Sequence, residues 1–161
     1  MIVYRPSAGF AFSHPAHFIA LGFGIGLARF APGTFGTLLA WPVGWTLAAG
    51  NAAVMLGLVA VFFALGIWAC GLTGTHLGMD DHSSMVWDEF VAFLLVLAIV
   101  PREFAWQLGA FVAFRFFDIV KPPPIRWFER RYKGGFGVMA DDILAAGYTL
   151  LVLAVAKRLF F

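Results

Sequence analysis

The residues best suited to chemistry lie between two apolar runs near the C-terminal end of the sequence. Residues 115–142 read RFFDIVKPPPIRWFERRYKGGFGVMADD. Charges beside hydrophobic segments are costly unless they face a site lined by protein. Arg115, Asp118 and Lys121 are spaced three apart, so on a helix they share roughly one face. We therefore predict a phosphate site with a metal ion in this part of the chain.

Further acidic residues stand where apolar runs begin. Asp88 and Glu89 precede the apolar run 90–100, and Asp141 and Asp142 precede the last one. Acids are favourable at a helix N-terminus, but acids repeated at the ends of three segments would repel one another. A bound Mg²⁺ would relieve that repulsion, because this ion takes carboxylate, water and phosphate oxygens. The predicted metal ligands, in some combination, are Asp88, Glu89, Asp118, Asp141 and Asp142.

Other residues suit the binding of a phosphate group. In the segment APGTFGT at 31–37, Thr34 can cap a helix whose first turn offers free N–H groups and the hydroxyl of Thr37. The run Gly134-Gly135-Phe136-Gly137 can form an anion-binding nest before the last helix. The predicted substrate-binding residues are Thr34, Thr37, Arg115, Lys121, Arg126, Gly134 and Gly135. The basic residues Arg130, Arg131 and Lys133 are more simply explained by contact with anionic lipids.

The composition predicts an all-α integral membrane protein. The chain has 161 residues, of which 61% are hydrophobic and 12% charged, and its mean hydropathy is +0.87. Soluble domains carry about 25% charged residues. We predict one membrane-embedded domain over residues 1–161 with about five short transmembrane helices. Their predicted ranges are 35–49, 52–73, 90–100, 104–120 and 143–159.

The N-terminal part and the loops complete this topology. Residues 1–15 are predicted to be a loose arm, and residues 16–30 an interfacial or re-entrant helix. A turn is expected at Gly50-Asn51. The positive-inside rule places the more basic set of loops, which lies on the same side as the acids, in the cytoplasm. That set contains Arg5, Arg29, Lys121, Arg126, Arg130, Arg131 and Lys133.

Three sequence blocks resemble the phosphatidylglycerophosphatase A family of bacterial inner-membrane lipid phosphatases. They are PGTFGT, DHSSMVWDEF and FRFFDIVKPPPIRWFERRYKGGFGVMADDILAA, and the resemblance covers about residues 20–155. The chain departs from the family pattern at Thr37 (usually Ser), Glu129 (Asp), Val138 (Ile) and Ala146 (Gly). The resemblance implies dependence on Mg²⁺ and conversion of phosphatidylglycerophosphate to phosphatidylglycerol at the cytoplasmic face.

Water activated by a metal is the simplest mechanism for such a reaction, because the sequence has no Cys-x5-Arg loop. Asp81 and Glu89 are candidate general bases, and the full catalytic prediction is Asp81, Asp88, Glu89, Asp118 and Asp142. Expected partners are the anionic phospholipid substrate and membrane lipids, with no nucleic acid; the sequence leaves the oligomeric state open. Two other functions stay open, an ion- or proton-coupled transporter and a non-catalytic protein that binds anionic lipids.

Overall fold

The protein is helical throughout the part that the computed structural model describes, residues 5–47 and 51–160. Two short helices and a 3₁₀ helix (Gly22–Leu27) come before the long helices, and a third short helix joins the last two. The α-helices are α1 (Ala8–Ser13), α2 (Pro15–Ala20), α3 (Pro32–Leu47), α4 (Ala52–Leu77), α5 (Trp87–Ile99), α6 (Phe104–Val120), α7 (Ile125–Arg131) and α8 (Gly134–Phe160). The prediction of an all-α protein is confirmed for the described residues.

Helix α5 forms the centre of the bundle. It packs against α3, α4 and α8, and α8 in turn packs against α4, α6 and α7. Val91, Phe93 and Leu94 of α5 are fully buried. A helix that is apolar on all sides is suited to such a central position. The acidic residues in its first turn, Asp88 and Glu89, are thereby held at one end of the bundle.

Within the described residues, two helices are long and apolar enough to cross a membrane. They are Ala52–Leu77 and Gly134–Leu159, with mean hydropathies of 2.4 and 1.8. A span requires about 20 residues, whereas α3, α5 and α6 have 16, 13 and 17. The predicted count of about five spans is therefore not confirmed. Large apolar side chains nevertheless cover the outer surface: Val61 is 62% exposed, Ile119 70% and Leu151 60%.

Helix boundaries differ from the sequence prediction at two functionally important places. Helix α3 begins at Pro32, so Thr34 lies inside its first turn and does not cap it. Helix α8 begins at Gly134 and not near Ile143, so Asp141 and Asp142 lie within the helix. By contrast, the placement of Asp88 and Glu89 in the first turn of α5 is confirmed.

The N-terminal segment is more ordered than the predicted loose arm at 1–15. Helix α1 is capped by Ser7, and Ala11 is fully buried; residues 1–4 lie outside the described part. The predicted single helix over 16–30 is broken, because the backbone turns left-handed at Gly22, Phe23 and Gly24. A hydrogen bond of 2.8 Å between the His17 and His76 rings ties α2 to α4.

The predicted turn at Gly50-Asn51 falls at the edge of the described residues. Gly50 lies outside them. The Asn51 side chain accepts hydrogen bonds from the amides of Ala53 and Val54 and thereby caps α4.

Gly135 explains why the glycine-rich run is helical. A Cβ atom at this position would overlap the carbonyl oxygen of Ile67 and lie 2.7 Å from the amide nitrogen of Gly71, both in α4. The glycine-rich run therefore lets α8 approach α4 closely. The conformation of the run is determined by this packing and not by a tendency to form a turn.

Replacing Gly135 should weaken this contact. We expect Gly135→Ala to lower the free energy of unfolding by about 1–3 kcal/mol through overpacking. Gly147→Ala, in the same helix but with nothing within 4 Å of the new Cβ, should be neutral or stabilising by up to about 1 kcal/mol. Thermal unfolding in detergent measures both variants. Equal melting temperatures for the two would contradict the close approach of α8 to α4.

Candidate active site

Arg115 of α6 organises the first part of the site. Its Nη1 atom donates to Asp118 Oδ2 at 2.6 Å, to Glu89 Oε1 at 3.2 Å and to Thr37 Oγ1 at 3.4 Å. The helical spacing of Arg115 and Asp118 thus produces the ion pair expected for residues three apart. These contacts bring together α3, α5 and α6, so the guanidinium group fixes three helices at one end of the bundle.

The first turn of α3 supplies a close-fitting wall to this group. Gly33 lies directly against the Glu89 carboxylate, which a Cβ at that position would overlap. Thr37 Oγ1 donates to the carbonyl of Gly33 at 2.9 Å and also receives Arg115. The absence of a side chain at Gly33 is thus required by the carboxylate that lies against it.

Lys121 organises the second part of the site. This residue ends α6 in a left-handed conformation, and its Nζ atom donates to Asp141 Oδ2 at 2.7 Å and to Glu129 Oε1 at 3.0 Å. Asp81 Oδ2 lies 3.7 Å from the same nitrogen. One ammonium group therefore links α7, α8 and the loop before α5.

Burial and charge act in opposite directions on these side chains. Burial lowers the pKa of the Lys121 ammonium, but the carboxylates of Asp141, Asp81 and Glu129 outweigh it and raise the pKa above its ordinary value. Lys121 is therefore charged at neutral pH. Although 46% of the Asp81 side chain is accessible, loss of water around its carboxyl raises the pKa of Asp81, and Lys121 opposes that rise.

Three carboxylate oxygens in the site are buried and have no hydrogen-bond partner. They are Asp88 Oδ1, Glu89 Oε2 and Asp142 Oδ2. Asp142 also experiences the negative charges of Asp118, Asp88, Asp141 and Glu89. An unpaired buried charge is strongly unfavourable. The negative charges of these carboxylates must therefore be neutralised by protons or by a bound cation.

The residues present fit a hard divalent cation. Seven carboxylates converge here, and Arg115 and Lys121 form ion pairs with five of them. The carboxylate atoms that are free to coordinate a cation are oxygens, and oxygen is the ligand type that Mg²⁺ prefers. The converging carboxylates belong to Asp81, Asp88, Glu89, Asp118, Glu129, Asp141 and Asp142.

Two groups of carboxylate oxygens are candidate positions for a cation. One oxygen from each of Asp81, Glu129 and Asp141 lies within 4.8 Å of the other two. The Lys121 ammonium already binds these three, however, and neutralises part of their charge. Among the described residues, Asp88 Oδ1, Glu89 Oε2 and Asp142 Oδ2 have no hydrogen-bond partner. Although Glu89 Oε1 is paired with Arg115, the need for a cation is therefore greater among these three oxygens.

A cavity of about 290 Å³ opens at the second part of the site. Its lining includes Asp81, Glu129 and Asp141, which all contact Lys121, together with Lys133 and Gly134. Gly134 therefore lies where a bound anion can reach it, whereas Gly135 faces α4. The cavity is large enough for a phosphate group and water.

Some predicted substrate-binding residues lie differently from expectation. The amide of Thr34, expected to be free for an anion, donates to the carbonyl of Ala31 at 3.0 Å. Arg126 is exposed and donates to the carbonyl of Val120 at 3.1 Å. The proposed nest at 134–137 is the first turn of α8.

Glu129 is the site residue that sequence reasoning missed. It lies in α7, after the prolines, among exposed basic residues. The sequence pointed to Glu129 only because this residue departs from the family pattern, which has an Asp at this position. In the structure its carboxylate accepts a hydrogen bond from Lys121 at 3.0 Å.

The fold and the site together define an apolar helical bundle with buried acids at one end. Residues 18–157 match the family model described as PgpA, phosphatidylglycerophosphatase A. The chain therefore belongs to the phosphatidylglycerophosphatase A family.

Individual relatives agree with this assignment. The chain is 45% identical over 142 residues to phosphatidylglycerophosphatase A of Haemophilus influenzae, covering 87% of each chain. It is 41% identical over 141 residues to the Escherichia coli K12 protein of that name, covering 83% of this chain and 78% of the relative. A putative phosphatidylinositol-3-phosphatase of Bacteroides thetaiotaomicron is 42% identical over 147 residues, 86% of this chain and 91% of the relative. No solved structure matches the chain.

Proposed function

We propose that this protein removes the terminal phosphate monoester of phosphatidylglycerophosphate, giving phosphatidylglycerol and inorganic phosphate. Membership of the phosphatidylglycerophosphatase A family supports the substrate. The observation that carries the chemistry is the set of partnerless buried oxygens on Asp88, Glu89 and Asp142 beside two cationic side chains. Such a cluster is unfavourable without a function that uses its charge.

Magnesium is the proposed cofactor. Asp88, Glu89 and Asp142 would hold it, with Asp118 and Asp141 close by. When bound there, Mg²⁺ supplies a Lewis acid for phosphoryl oxygens and lowers the pKa of coordinated water.

The protein's own side chains have distinct proposed roles in the hydrolysis. Lys121, charged at neutral pH, binds phosphoryl oxygens from the cavity, and Arg115 stabilises the negative charge nearer α3. Asp81 is accessible and has a raised pKa, so its carboxylate is the favoured acceptor for the proton of the attacking water. The leaving glycerol oxygen takes a proton from a second water, and Asp81 returns its proton to the hydroxide that this leaves.

The proposed substrate has acyl chains, and the protein has an apolar outer surface. Both support action within a membrane. The two long helices and the exposed side chains of Val61, Ile119 and Leu151 support embedding in a bilayer. We propose a multi-pass protein of the bacterial cytoplasmic membrane, with the acidic end of the bundle in the cytoplasm because basic loops flank it.

This orientation predicts the labelling of introduced cysteines. In a Cys70→Ser background, Ser83→Cys and Lys133→Cys should be shielded from an impermeant thiol reagent in intact cells, while Asn51→Cys should react. The physical reason is that residues 83 and 133 lie at the acidic end of the bundle, whereas Asn51 begins α4 at the other end. Labelling at 83 and 133 but not at 51 would reverse the orientation.

Phosphate release from defined lipids in detergent micelles tests the function itself. We expect Mg²⁺-dependent release from phosphatidylglycerophosphate, abolished by chelator and restored by Mg²⁺. Phosphatidylinositol 3-phosphate is the natural comparison, because one relative carries the name of a putative phosphatase for it. No release from any lipid phosphomonoester would contradict a phosphatase and favour the transporter or lipid-binding alternatives.

A further inference from the structure

A second cavity, of about 270 Å³, lies on the other side of the loop that carries Asp81. Arg5, Arg29, Pro32, Ser83 and Ser84 contribute to its lining, and we call it the arginine pocket. Neither the catalytic proposal nor the sequence prediction uses it. Its polar lining sets it apart from the apolar grooves between the long helices.

The arginine pocket is electrostatically positive. Arg5 Nη2 donates to the carbonyl oxygen of Arg29 at 3.1 Å, which holds the two arginine-bearing segments together. No acidic residue lines the pocket, and within the described residues neither guanidinium is paired with a carboxylate. Two arginines and two serine hydroxyls together suit the oxygens of a phosphate group.

Two parts of the pocket's lining, Pro32 and the pair Ser83 and Ser84, lie close in sequence to residues of the acidic site. Pro32 borders the pocket, and the next residue, Gly33, lies against the Glu89 carboxylate. Consecutive Cα atoms are about 3.8 Å apart, so the pocket and the carboxylate flank the same short turn. On the other wall, Ser83 and Ser84 follow Asp81 closely in the loop before α5.

Exposed aromatic side chains lie in the same N-terminal part of the chain as the two arginines. Phe30, which directly follows Arg29, is 83% exposed, Phe12 is 69% exposed and Phe23 is 50% exposed. Aromatic and basic side chains together are typical of the interface between a bilayer and water. The expected ligand is therefore the headgroup of a lipid in that interface.

We propose that the arginine pocket binds the phosphodiester of the lipid substrate while the terminal monoester lies at the acidic site. In phosphatidylglycerophosphate a single glycerol unit separates the two phosphates, which matches two sites on either side of one turn. The pocket thereby selects lipids that carry a diester in addition to the reacting phosphate. This inference rests on the proposed function, because it takes the same lipid as substrate.

Phosphatidylglycerol provides a test that requires no turnover, since it has the diester and lacks the monoester. Binding of dioctanoyl phosphatidylglycerol to the full chain is measured by calorimetry in uncharged detergent micelles. Arg29→Gln removes one cation, and Ser83→Asp adds a repelling charge without altering either arginine. Arg158→Gln, at the exposed far end of α8, is the matched control. We expect Kd to rise roughly tenfold for the first two variants, as for loss of one charge-assisted contact, and to stay unchanged for the control.

Kinetics then assign the bound diester to the substrate. For phosphatidylglycerophosphate, Arg29→Gln should raise KM roughly tenfold and leave kcat within about twofold, because the contact binds substrate without touching the reacting phosphate.

Three results would overturn the proposal in different ways. Equal phosphatidylglycerol binding by Arg29→Gln and Arg158→Gln would remove the pocket as a diester site. Weakened binding with an unchanged KM would assign the pocket to a separate lipid molecule and not to the substrate. If the wild type bound phosphatidylglycerol through Arg29 but released no phosphate from any lipid, the hydrolytic function would fall, and with it the substrate role.

Discussion

Asp142→Asn should abolish nearly all Mg²⁺-dependent lipid phosphatase activity while the protein still folds. The substitution keeps the size of the side chain but removes a buried negative charge whose Oδ2 atom has no partner. Loss of one group that stabilises charge in a transition state costs about 10²–10³ in kcat, and loss of the cation should cost at least as much. Initial rates of phosphate release in saturating Mg²⁺ measure the effect.

Thermal stability separates this functional loss from a folding defect. Without metal, Asp142→Asn should be as stable as the wild type or more stable, because it relieves repulsion from Asp88 and Asp118. Mg²⁺ should raise the melting temperature of the wild type but not of the variant, since a ligand stabilises only the state that binds it. Glu103→Gln removes a charge at the opposite end of the bundle and should leave activity unchanged.

Asp88→Asn and Asp118→Asn should lose activity to a similar extent, and the effects should not add. Residues that serve one unit give non-additive losses, because any single change disables the unit. The triple variant should therefore be about as inactive as each single one. Full activity in the triple variant would end the proposal that these acids serve catalysis.

Lys121→Ala should have the second large effect, a loss of roughly 10²–10³ in kcat. Lys121 joins Asp141, Glu129 and Asp81, and its removal leaves three carboxylates facing the incoming phosphate without a cation. Arg131→Ala is the matched control, because Arg131 is exposed and its guanidinium lies 5.9 Å from the Tyr132 ring, not in the acidic cluster.

Steady-state kinetics of the two variants distinguish catalysis from attraction to anionic micelles. Arg131→Ala should change activity only slightly, in line with contact to lipid headgroups. Equal and mild losses at both positions would mean that Lys121 acts only as part of the basic surface.

The sequence predicts the parts of the site that depend on local chain geometry. The contact between Arg115 and Asp118 follows from their spacing on a helix, and the position of Glu89 follows from the boundary between polar and apolar residues. These features require no knowledge of how the helices pack.

Features that depend on packing could not be predicted in the same way. The glycines at 134–137 suggest a turn, yet the close approach of Gly135 to Ile67 makes them helical. The meeting of Glu129 with Lys121, and of His17 with His76 across 59 residues, depends on tertiary structure. The predicted count of about five spans is not confirmed for a related reason. Helix α5 has only 13 residues, and its apolar character suits its position in the centre of the bundle.

Manganese binding measured by electron paramagnetic resonance tests the central claim most directly, because it detects a divalent cation without relying on turnover. Titration of purified wild-type protein with Mn²⁺ should show saturable binding that Mg²⁺ competes away. The same titration of the Asp88→Asn, Asp118→Asn, Asp142→Asn triple variant should show none. Equal saturable binding by the wild type and the triple variant, or none by the wild type, would contradict a divalent-cation site among these buried carboxylates.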